Sequence, residues 1–412
     1  SPPAAERSSA FILRRAGSGM EFRAMGAVHC TSSQPTCQRG LQNTRPAAKP
    51  TMPQRAKQRV IVGMSGGVDS STAAALLLQQ GYQVIGVTLQ LWPPECPSLS
   101  GDRRCGPEAA EEARQVARKL GIPHHRIDVA EPFQRQVIQY FSAEYKAGRT
   151  PNPCVVCNEQ IKFGALLRCA GQFDAGCVAT GHYARVDHSG AGGRTLLRRG
   201  RDLGKDQSYF LFSLKQEQLA RTLFPLGELT KAATREAARG CRLRNADREE
   251  SMEICFVPGN DYGAFLTATG LVEKHRGEIV DARGRVLGHH DGIEFYTIGQ
   301  RRGLRLSAPN PLYVLDLDPA ANRVVVGEAS ALGRDEFFVE RCNWISAAAP
   351  PEQFTALAKI RYHHPGAMAT VTVLPGDRVR VKLEVPQRAV TPGQACVFYQ
   401  EDLVLGGGWI AR

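Results

Sequence analysis

The segment from Val60 to Ser71 constrains the fold more than any other part of this chain. It opens with an apolar, β-branched run at residues 60–62, which is typical of a buried parallel strand. A glycine-rich turn follows, and an alanine- and leucine-rich stretch from Ser70 to Gln80 predicts a helix. A strand, a glycine loop and a helix in this order bring backbone N–H groups and the positive end of a helix dipole to one point, which favours phosphate binding.

This loop lacks the lysine of the Walker A phosphate-binding motif. Asp69 stands in it instead, beside the hydroxyl groups of Ser65, Ser70 and Ser71. Hydroxyl groups can hold a pyrophosphate, and a carboxylate can hold the Mg²⁺ that accompanies it. The loop therefore predicts a nucleotide-phosphate site with Asp69 as a magnesium ligand.

Alternating strand and helix patterns continue to about residue 257 and predict an α/β fold with a doubly wound parallel sheet. Ligands of such sheets bind beyond the carboxyl ends of the strands, where the first loop, Leu89 and Gly181 all fall. The predicted strands after the first are Gln83–Leu89, Arg126–Val129 and Gly176–Gly181, and the predicted helices are Glu108–Leu120, Phe133–Ala147, Gln216–Leu223 and Lys231–Gly240.

After Cys255 the pattern changes to short strands separated by glycine and proline turns. Such spacing is typical of small β modules and barrels. We predict a catalytic domain over residues 52–258, a small β-rich domain over 259–333 and a C-terminal β-barrel over 334–412.

Composition places limits on the partners of the chain. Its 412 residues carry a formal net charge of +12, of which residues 1–51, with seven Lys/Arg and two Asp/Glu, hold +5. The remaining excess is compatible with an RNA partner. No apolar run is long enough to span a membrane, and no secretory signal precedes the twelve cysteines, so we read them as mostly buried thiols with a few reactive ones.

The first fifty residues are rich in Ser, Pro, Ala and Arg, which predicts disorder. Two interpretations stay open. One is an over-extended translation start with Met52 as the initiator, which predicts a cytoplasmic protein. The other is a transit peptide, which predicts a mitochondrial one.

A second group of reactive residues follows the sequence Arg149-Thr-Pro-Asn-Pro. Cys154 and Cys157 stand where a helix is predicted to begin, and a helix N-terminus lowers the pKa of a thiol and favours the reactive thiolate. Cys255 lies far along the chain, in ESMEICFV at 250–257.

Together these segments resemble a known enzyme family. SGGVDSS is similar to the signature of the PP-loop ATP pyrophosphatases. With the two cysteine segments, the motifs TGHYAR at 180–185, KDQSYFLF at 205–212, TIGQRRGL at 297–304 and TPGQ at 391–394 resemble the tRNA-specific 2-thiouridylases. The resemblance runs from about residue 59 to 410. These enzymes use ATP to replace the C2 oxygen of a wobble uridine by sulfur.

The resemblance implies roles for individual residues and partners. Cys157 would be the catalytic nucleophile, and Cys255 would carry a persulfide and form a transient disulfide with Cys157. The implied partners are ATP, Mg²⁺, a tRNA of the Lys, Glu or Gln type with a wobble uridine, and a persulfide donor such as a cysteine desulfurase or a sulfur relay protein. The implied ATP-binding residues are Gly63, Met64, Ser65, Gly66, Gly67, Val68, Asp69, Ser70, Leu89 and Gly181. The implied tRNA contacts are Asn152, Pro153, Cys154, His182, Lys205, Asp206, Gln207, Arg361, Tyr362 and Gln394.

Several alternatives stay open at the level of the sequence. Many members of the family have Asp where this chain has Cys154, so the acid/base group is unassigned. Cys154, Cys157 and Cys255 are also candidate ligands of an iron–sulfur cluster with four irons and four sulfurs. Cys154 and Cys157 with Cys96 and Cys105 would instead make a zinc site. The rival functions are a PP-loop ligase for a small molecule and an RNA-binding protein with an inactive nucleotide site.

Overall fold

The computed structural model describes residues 58–92, 107–248 and 254–412. The leader at 1–51, the start at Met52 and the proposed zinc ligands Cys96 and Cys105 lie outside these ranges. In the part of the chain that is described, no helix is both long enough and apolar enough to cross a membrane.

The first part of the structure is a parallel sheet with helices packed on it. The strands in chain order are β1 (Arg59–Gly63), β2 (Gln83–Gln90), β3 (His124–Asp128), β4 (Cys177–Ala179), β5 (Ala184–Asp187), β6 (Leu196–Arg199) and β7 (Thr222–Leu223). The sheet has the order β3-β2-β1-β4-β7, and every pairing in it is parallel. Val60, Ile61 and Val62 are fully buried in its centre, as the apolar run predicts. The predicted doubly wound α/β fold is confirmed.

The helices of this part include two that contain a π-helical segment. The helix predicted at Phe133–Ala147 begins at Ala130, three residues earlier than predicted, because Asp128 accepts a hydrogen bond from the backbone N–H of Ala130 at 2.8 Å. The helices are α1 (Val68–Gln79), α2 (Pro107–Leu120), α3 (Ala130–Phe133) joined by Gln134–Ile138 to α4 (Gln139–Lys146), α5 (Pro153–Val156) joined by Cys157–Lys162 to α6 (Phe163–Gln172), α7 (Gln216–Ala220), α8 (Lys231–Gly240) and α9 (Tyr262–Ala268).

The predicted helix Gln216–Leu223 is wrong at its carboxyl end. The helix stops at Ala220, and Thr222 and Leu223 pair with Val178 and Ala179 as the edge strand β7. The predicted strands Arg126–Val129 and Gly176–Gly181 exist, but they occupy His124–Asp128 and Cys177–Ala179. These differences arise because pairing with a neighbouring strand, and not local sequence, sets where such short elements end.

Two further sheets follow. The first has the order β10-β11-β8-β9, and its strands are β8 (Gly277–Asp281), β9 (Val286–His290), β10 (Tyr313–Asp318) and β11 (Arg323–Gly327). The second closes on itself because β12 pairs with both β15 and β17, which gives a six-stranded antiparallel barrel as predicted. Its strands are β12 (Gly333–Trp344), β13 (Gln353–Lys359), β14 (Ala367–Leu374), β15 (Arg378–Arg388), β16 (Ala395–Gln400) and β17 (Leu403–Ile410).

The β5–β6 hairpin joins the parallel-sheet part to the barrel. Its strand β6 pairs with β17 at Arg198 and Leu403. Asp402 also accepts hydrogen bonds from Arg185 at 2.6 Å and from Arg198 at 2.8 Å. Residues 200–208 follow directly after this hairpin, so the beginning of that segment is held in place by the barrel.

Candidate active site

The loop between β1 and α1 is held in shape by its own side chains. The Ser70 hydroxyl accepts a hydrogen bond from the backbone N–H of Ser65 at 3.1 Å, and the Ser71 hydroxyl donates to the Gly67 carbonyl at 2.8 Å. Gly66 has a φ of +76°, and a Cβ there would lie 2.6 Å from the carbonyl oxygen of Ala109. Gly67 is the N-cap of α1 and provides no side-chain cap, so the first-turn N–H groups are left for an anion.

Gly181 packs directly on the first turn of α1. A Cβ at this position would lie 2.6 Å from the backbone nitrogen of Ser70. Met64 is tied to β2, because its backbone N–H donates to Val87 at 2.8 Å and its carbonyl accepts from Thr88 at 2.7 Å. Leu89 follows one residue later. The structure thus brings the predicted ATP-binding positions to one edge of the sheet.

Asp69 has two partners that the sequence did not reveal. One of its carboxylate oxygens accepts hydrogen bonds from the Tyr183 hydroxyl at 2.8 Å and from the Lys231 ammonium at 2.7 Å. Burial lowers the pKa of Lys231, while the hydrogen bond to Asp69 opposes that effect. A signal for Lys231 exists in the sequence, since a lysine in the first turn of a helix is unfavourable for the helix dipole and suggests another role.

Asn245 supports the same loop from the other side. Its side-chain amide donates to the Gly66 carbonyl at 2.8 Å and to the Ser71 hydroxyl at 2.9 Å. Its own amide oxygen is buried and has no hydrogen-bond partner within the described ranges. The donors of the loop and the partly exposed carboxylate of Asp69 suit a pyrophosphate with its cation, so these residues fit a bound ATP with Mg²⁺.

The cysteine site lies in the joined helices α5 and α6. Cys154, Cys157 and Cys255 are partly buried. The charges of Cys157 and Cys255 both act on the Cys154 thiol, so the fold brings Cys255 close to the segment that holds Cys154 and Cys157. The roles that the resemblance implies for these cysteines stay predictions.

The predicted low thiol pKa is wrong for this structure. Burial raises the pKa of Cys154 to about 12 and that of Cys157 to about 12. The Lys162 ammonium lowers both values but does not compensate. The prediction from the helix dipole fails because the free-energy cost of removing a thiolate from water exceeds the stabilisation that a helix N-terminus provides.

The structure gives no support to the iron–sulfur hypothesis. Within residues 58–92, 107–248 and 254–412, no three or more His, Cys, Asp or Glu side chains are arranged to hold a metal ion. Cys154, Cys157 and Cys255 therefore lie near one another without forming a ligand set.

Four of the residues predicted to contact tRNA are buried, and one of them is Pro153 at the start of α5. Asn152, His182 and Asp206 are 7%, 8% and 2% exposed. His182 lies 2.7 Å from the Thr180 hydroxyl and 3.3 Å from the Lys162 ammonium, and burial lowers its pKa well below the usual value. Their contacts are thus within the protein in this structure.

The other predicted tRNA contacts are more accessible. Arg361 is exposed, and Tyr362 packs on Phe210 with 4.4 Å between the ring centroids. Lys205, Gln207 and Cys154 are half-buried. Their role in tRNA binding stays a prediction.

The barrel supports the cysteine loop directly. The Gln394 side chain donates to the carbonyls of Thr150 at 3.1 Å and Pro151 at 3.0 Å, and the Thr150 N–H donates to the Pro392 carbonyl at 2.9 Å. A Cβ at Gly393 would lie 2.9 Å from the Arg149 side chain. The TPGQ turn therefore holds the chain that leads to Cys154.

The fold and the loop together define a nucleotide-binding protein of the PP-loop class. In sequence order, the chain matches the family models described as tRNA methyl transferase HUP domain at 58–259, tRNA methyl transferase PRC-barrel domain at 264–328 and aminomethyltransferase β-barrel domain at 334–410. These descriptions speak of methyl transfer, whereas the curated relatives are named for thiolation.

Those relatives match almost along their whole length. The chain is 49% identical to the tRNA-specific 2-thiouridylase MnmA of Geobacter metallireducens over 365 residues, which are 87% of this chain and 98% of the relative. The proteins of the same name from Moorella thermoacetica and Chloroflexus aurantiacus are each 50% identical, over 85% and 86% of this chain and 98% of each relative. The chain belongs to the family of tRNA-specific 2-thiouridylases.

Proposed function

We propose that this protein is a tRNA-uridine 2-sulfurtransferase. It transfers sulfur from a protein cysteine persulfide to C2 of the wobble uridine of tRNA, consumes ATP, and releases AMP and pyrophosphate. The observation that carries the proposal is the convergence of Cys154, Cys157 and Cys255 in a protein that also keeps a complete PP-loop. A ligase for a small metabolite needs neither a second thiol nor a barrel that supports the cysteine loop.

The nucleotide end of the reaction uses the loop at residues 63–70. Its backbone N–H groups and hydroxyls would bind the phosphates, and Asp69 would hold Mg²⁺, which would supply charge neutralisation when bound. Uridine C2 is a poor electrophile. Transfer of the adenylyl group to the O2 oxygen releases pyrophosphate and converts that oxygen into a good leaving group, AMP.

The sulfur end uses two cysteines. Cys255 receives a persulfide from the donor protein, and the terminal sulfur forms a bond to C2 of the activated base. The Cys157 thiolate attacks the inner sulfur of Cys255, and the bond between the two persulfide sulfurs breaks. AMP leaves with the C–O electron pair. The product is 2-thiouridine, and the remaining Cys157–Cys255 disulfide is reduced by two electrons from an external thiol before the next cycle.

In the proposed reaction, substrate binding has to change the protonation state of the thiols. Cys154 and Cys157 are protonated at neutral pH because burial raises their pKa. Lys162 is the positive group that lowers the pKa of both thiols. We infer that closer approach of Lys162 on tRNA binding produces the Cys157 thiolate.

The test is a reaction fed with persulfide, ATP and unmodified tRNA that carries a wobble uridine, with nucleosides analysed by mass spectrometry. We expect a 2-thiouridine peak that depends on ATP. ATP cleavage that is stimulated by a small metabolite but not by tRNA would indicate a different PP-loop ligase. Tight tRNA binding without pyrophosphate release would indicate an RNA-binding protein.

A further inference from the structure

The segment 200–208 is a projecting loop with a rigid base. Asp206 accepts hydrogen bonds from the backbone N–H groups of Gly200 at 3.0 Å and Ser208 at 3.1 Å, which closes the loop across its two ends. Arg199 adds an ion pair to Asp206 at 3.1 Å. At the tip of the loop, Leu203 is 64% exposed. The two ends of the loop are therefore held together, while its tip is accessible to a partner.

Two residues of the loop contact the partners of Asp69. A carboxylate oxygen of Asp202 accepts a hydrogen bond at 2.9 Å from the backbone N–H of Lys231, the first residue of α8. The side-chain oxygen of Gln207 accepts from the backbone N–H of Tyr183 at 3.0 Å, and the Gln207 N–H donates to the Tyr183 carbonyl at 2.8 Å.

Both connections end on one oxygen atom. The Lys231 ammonium and the Tyr183 hydroxyl donate to the same carboxylate oxygen of Asp69, at 2.7 and 2.8 Å. The Lys231 ammonium also lies 5.6 Å from the centre of the Tyr183 ring. One surface loop thus holds the backbones of both residues that orient the carboxylate of the ATP site.

Charge links the loop to the same place. The positive charge of Lys205, a residue of this loop, acts on the Lys231 ammonium. A phosphate group bound at Lys205 would offset part of that repulsion.

We propose that the loop 200–208 couples tRNA binding to ATP binding, with Asp202 as a positioning residue that acts through Lys231. This rests on the proposed function, since it takes Lys205 as a tRNA contact. Because coupling between two sites is reciprocal, tRNA should raise the affinity for ATP by the factor by which ATP raises the affinity for tRNA, about fivefold or more.

The test measures the affinity of a nonhydrolysable ATP analogue with Mg²⁺, in the absence and presence of unmodified tRNA. In wild-type protein we expect tRNA to tighten binding of the analogue. Asp202→Ala should remove most of this effect, so that the variant binds the analogue about equally well in the absence and presence of tRNA. Asp202→Asn keeps an acceptor oxygen for Lys231 and should retain the coupling. Asp247→Ala is the matched control, because Asp247 lies beyond the other end of α8 and pairs with Arg239 at 2.7 Å.

Amide hydrogen exchange of the wild-type segment 230–234 gives a second readout that needs no variant. We expect tRNA alone to slow it. Hydrogen exchange that tRNA does not change, or full coupling in Asp202→Ala, would overturn the proposed coupling through the loop 200–208, even if thiolation proceeds normally. If the protein neither binds tRNA nor makes 2-thiouridine, both the proposed function and the proposed coupling are overturned.

Discussion

The ATP loop and the cysteine site share one domain but differ in how complete they are. Around Asp69 the hydrogen-bond partners are in place, and Ser70, Gly181 and Lys231 are already fixed against one another. Around Cys157 the thiols are protonated by burial, and they pack beside apolar side chains. The loop is thus already arranged to bind a phosphate, whereas the proposed sulfur transfer requires a change that makes a thiolate.

The largest expected effect tests the chemical half of this comparison. Cys157→Ser and Cys255→Ser should each lower 2-thiouridine formation by about 10⁴-fold or more, since a nucleophile that is lost is not replaced by its neighbours. Nucleoside mass spectrometry measures the product. Cys241→Ser is the control, because the Cys241 sulfur accepts a hydrogen bond from the Gln79 side chain near the end of α1, away from this site. Robust product from either active-site variant would remove the cysteine assignment.

The second prediction tests whether the resting thiols are protonated. Because the pKa of Cys157 is raised to about 12, the reactive thiolate is scarce at pH 8. Alkylation by iodoacetamide should be about a hundredfold slower than for an exposed cysteine, and it should keep rising with pH above 9. Peptide mass spectrometry of the Cys157 peptide follows the rate. A rate that is already at its plateau at pH 8 would show that the thiolate is present before tRNA binds.

The third prediction tests the nucleotide half. Asp69→Asn keeps the size of the side chain but removes the charge that pairs with Lys231 and is proposed to hold Mg²⁺, so tRNA-dependent pyrophosphate release should fall about a hundredfold. Asp247→Asn removes an exposed acid with an arginine partner and should have no effect. Wild-type rates in Asp69→Asn would contradict the role of Asp69.

The smallest expected effect concerns the support that the barrel gives to the cysteine loop. Gln394→Ala removes two hydrogen bonds, each worth about 1 kcal/mol, so thiolation should fall up to about thirtyfold. Gln353→Ala, which removes an exposed glutamine of β13, is the control. A lower turnover with unchanged tRNA affinity would support the positioning role, and a loss of tRNA affinity alone would make Gln394 a tRNA contact.

Much of the fold followed from local patterns. The apolar run at 60–62 and the helix after it stand where the sequence predicts them, and the barrel follows the regular spacing of its strands. Errors occurred at short elements, as where Thr222 and Leu223 form an edge strand. The sign of the Cys157 pKa shift could not be predicted, because it depends on burial by residues from other segments.

The sequence alone determined which groups are available: the glycine loop with Asp69, and cysteines at 154, 157 and 255. These are local features, and each depends on a few neighbouring residues. The contacts that those groups make depend on the tertiary structure. Lys231 reaches Asp69 across 162 positions of the chain, and Gln394 reaches the Thr150 carbonyl across 244. Burial and long-range hydrogen bonds depend on the whole packed chain, so they determine the charge state and the orientation of residues whose identity was already plain.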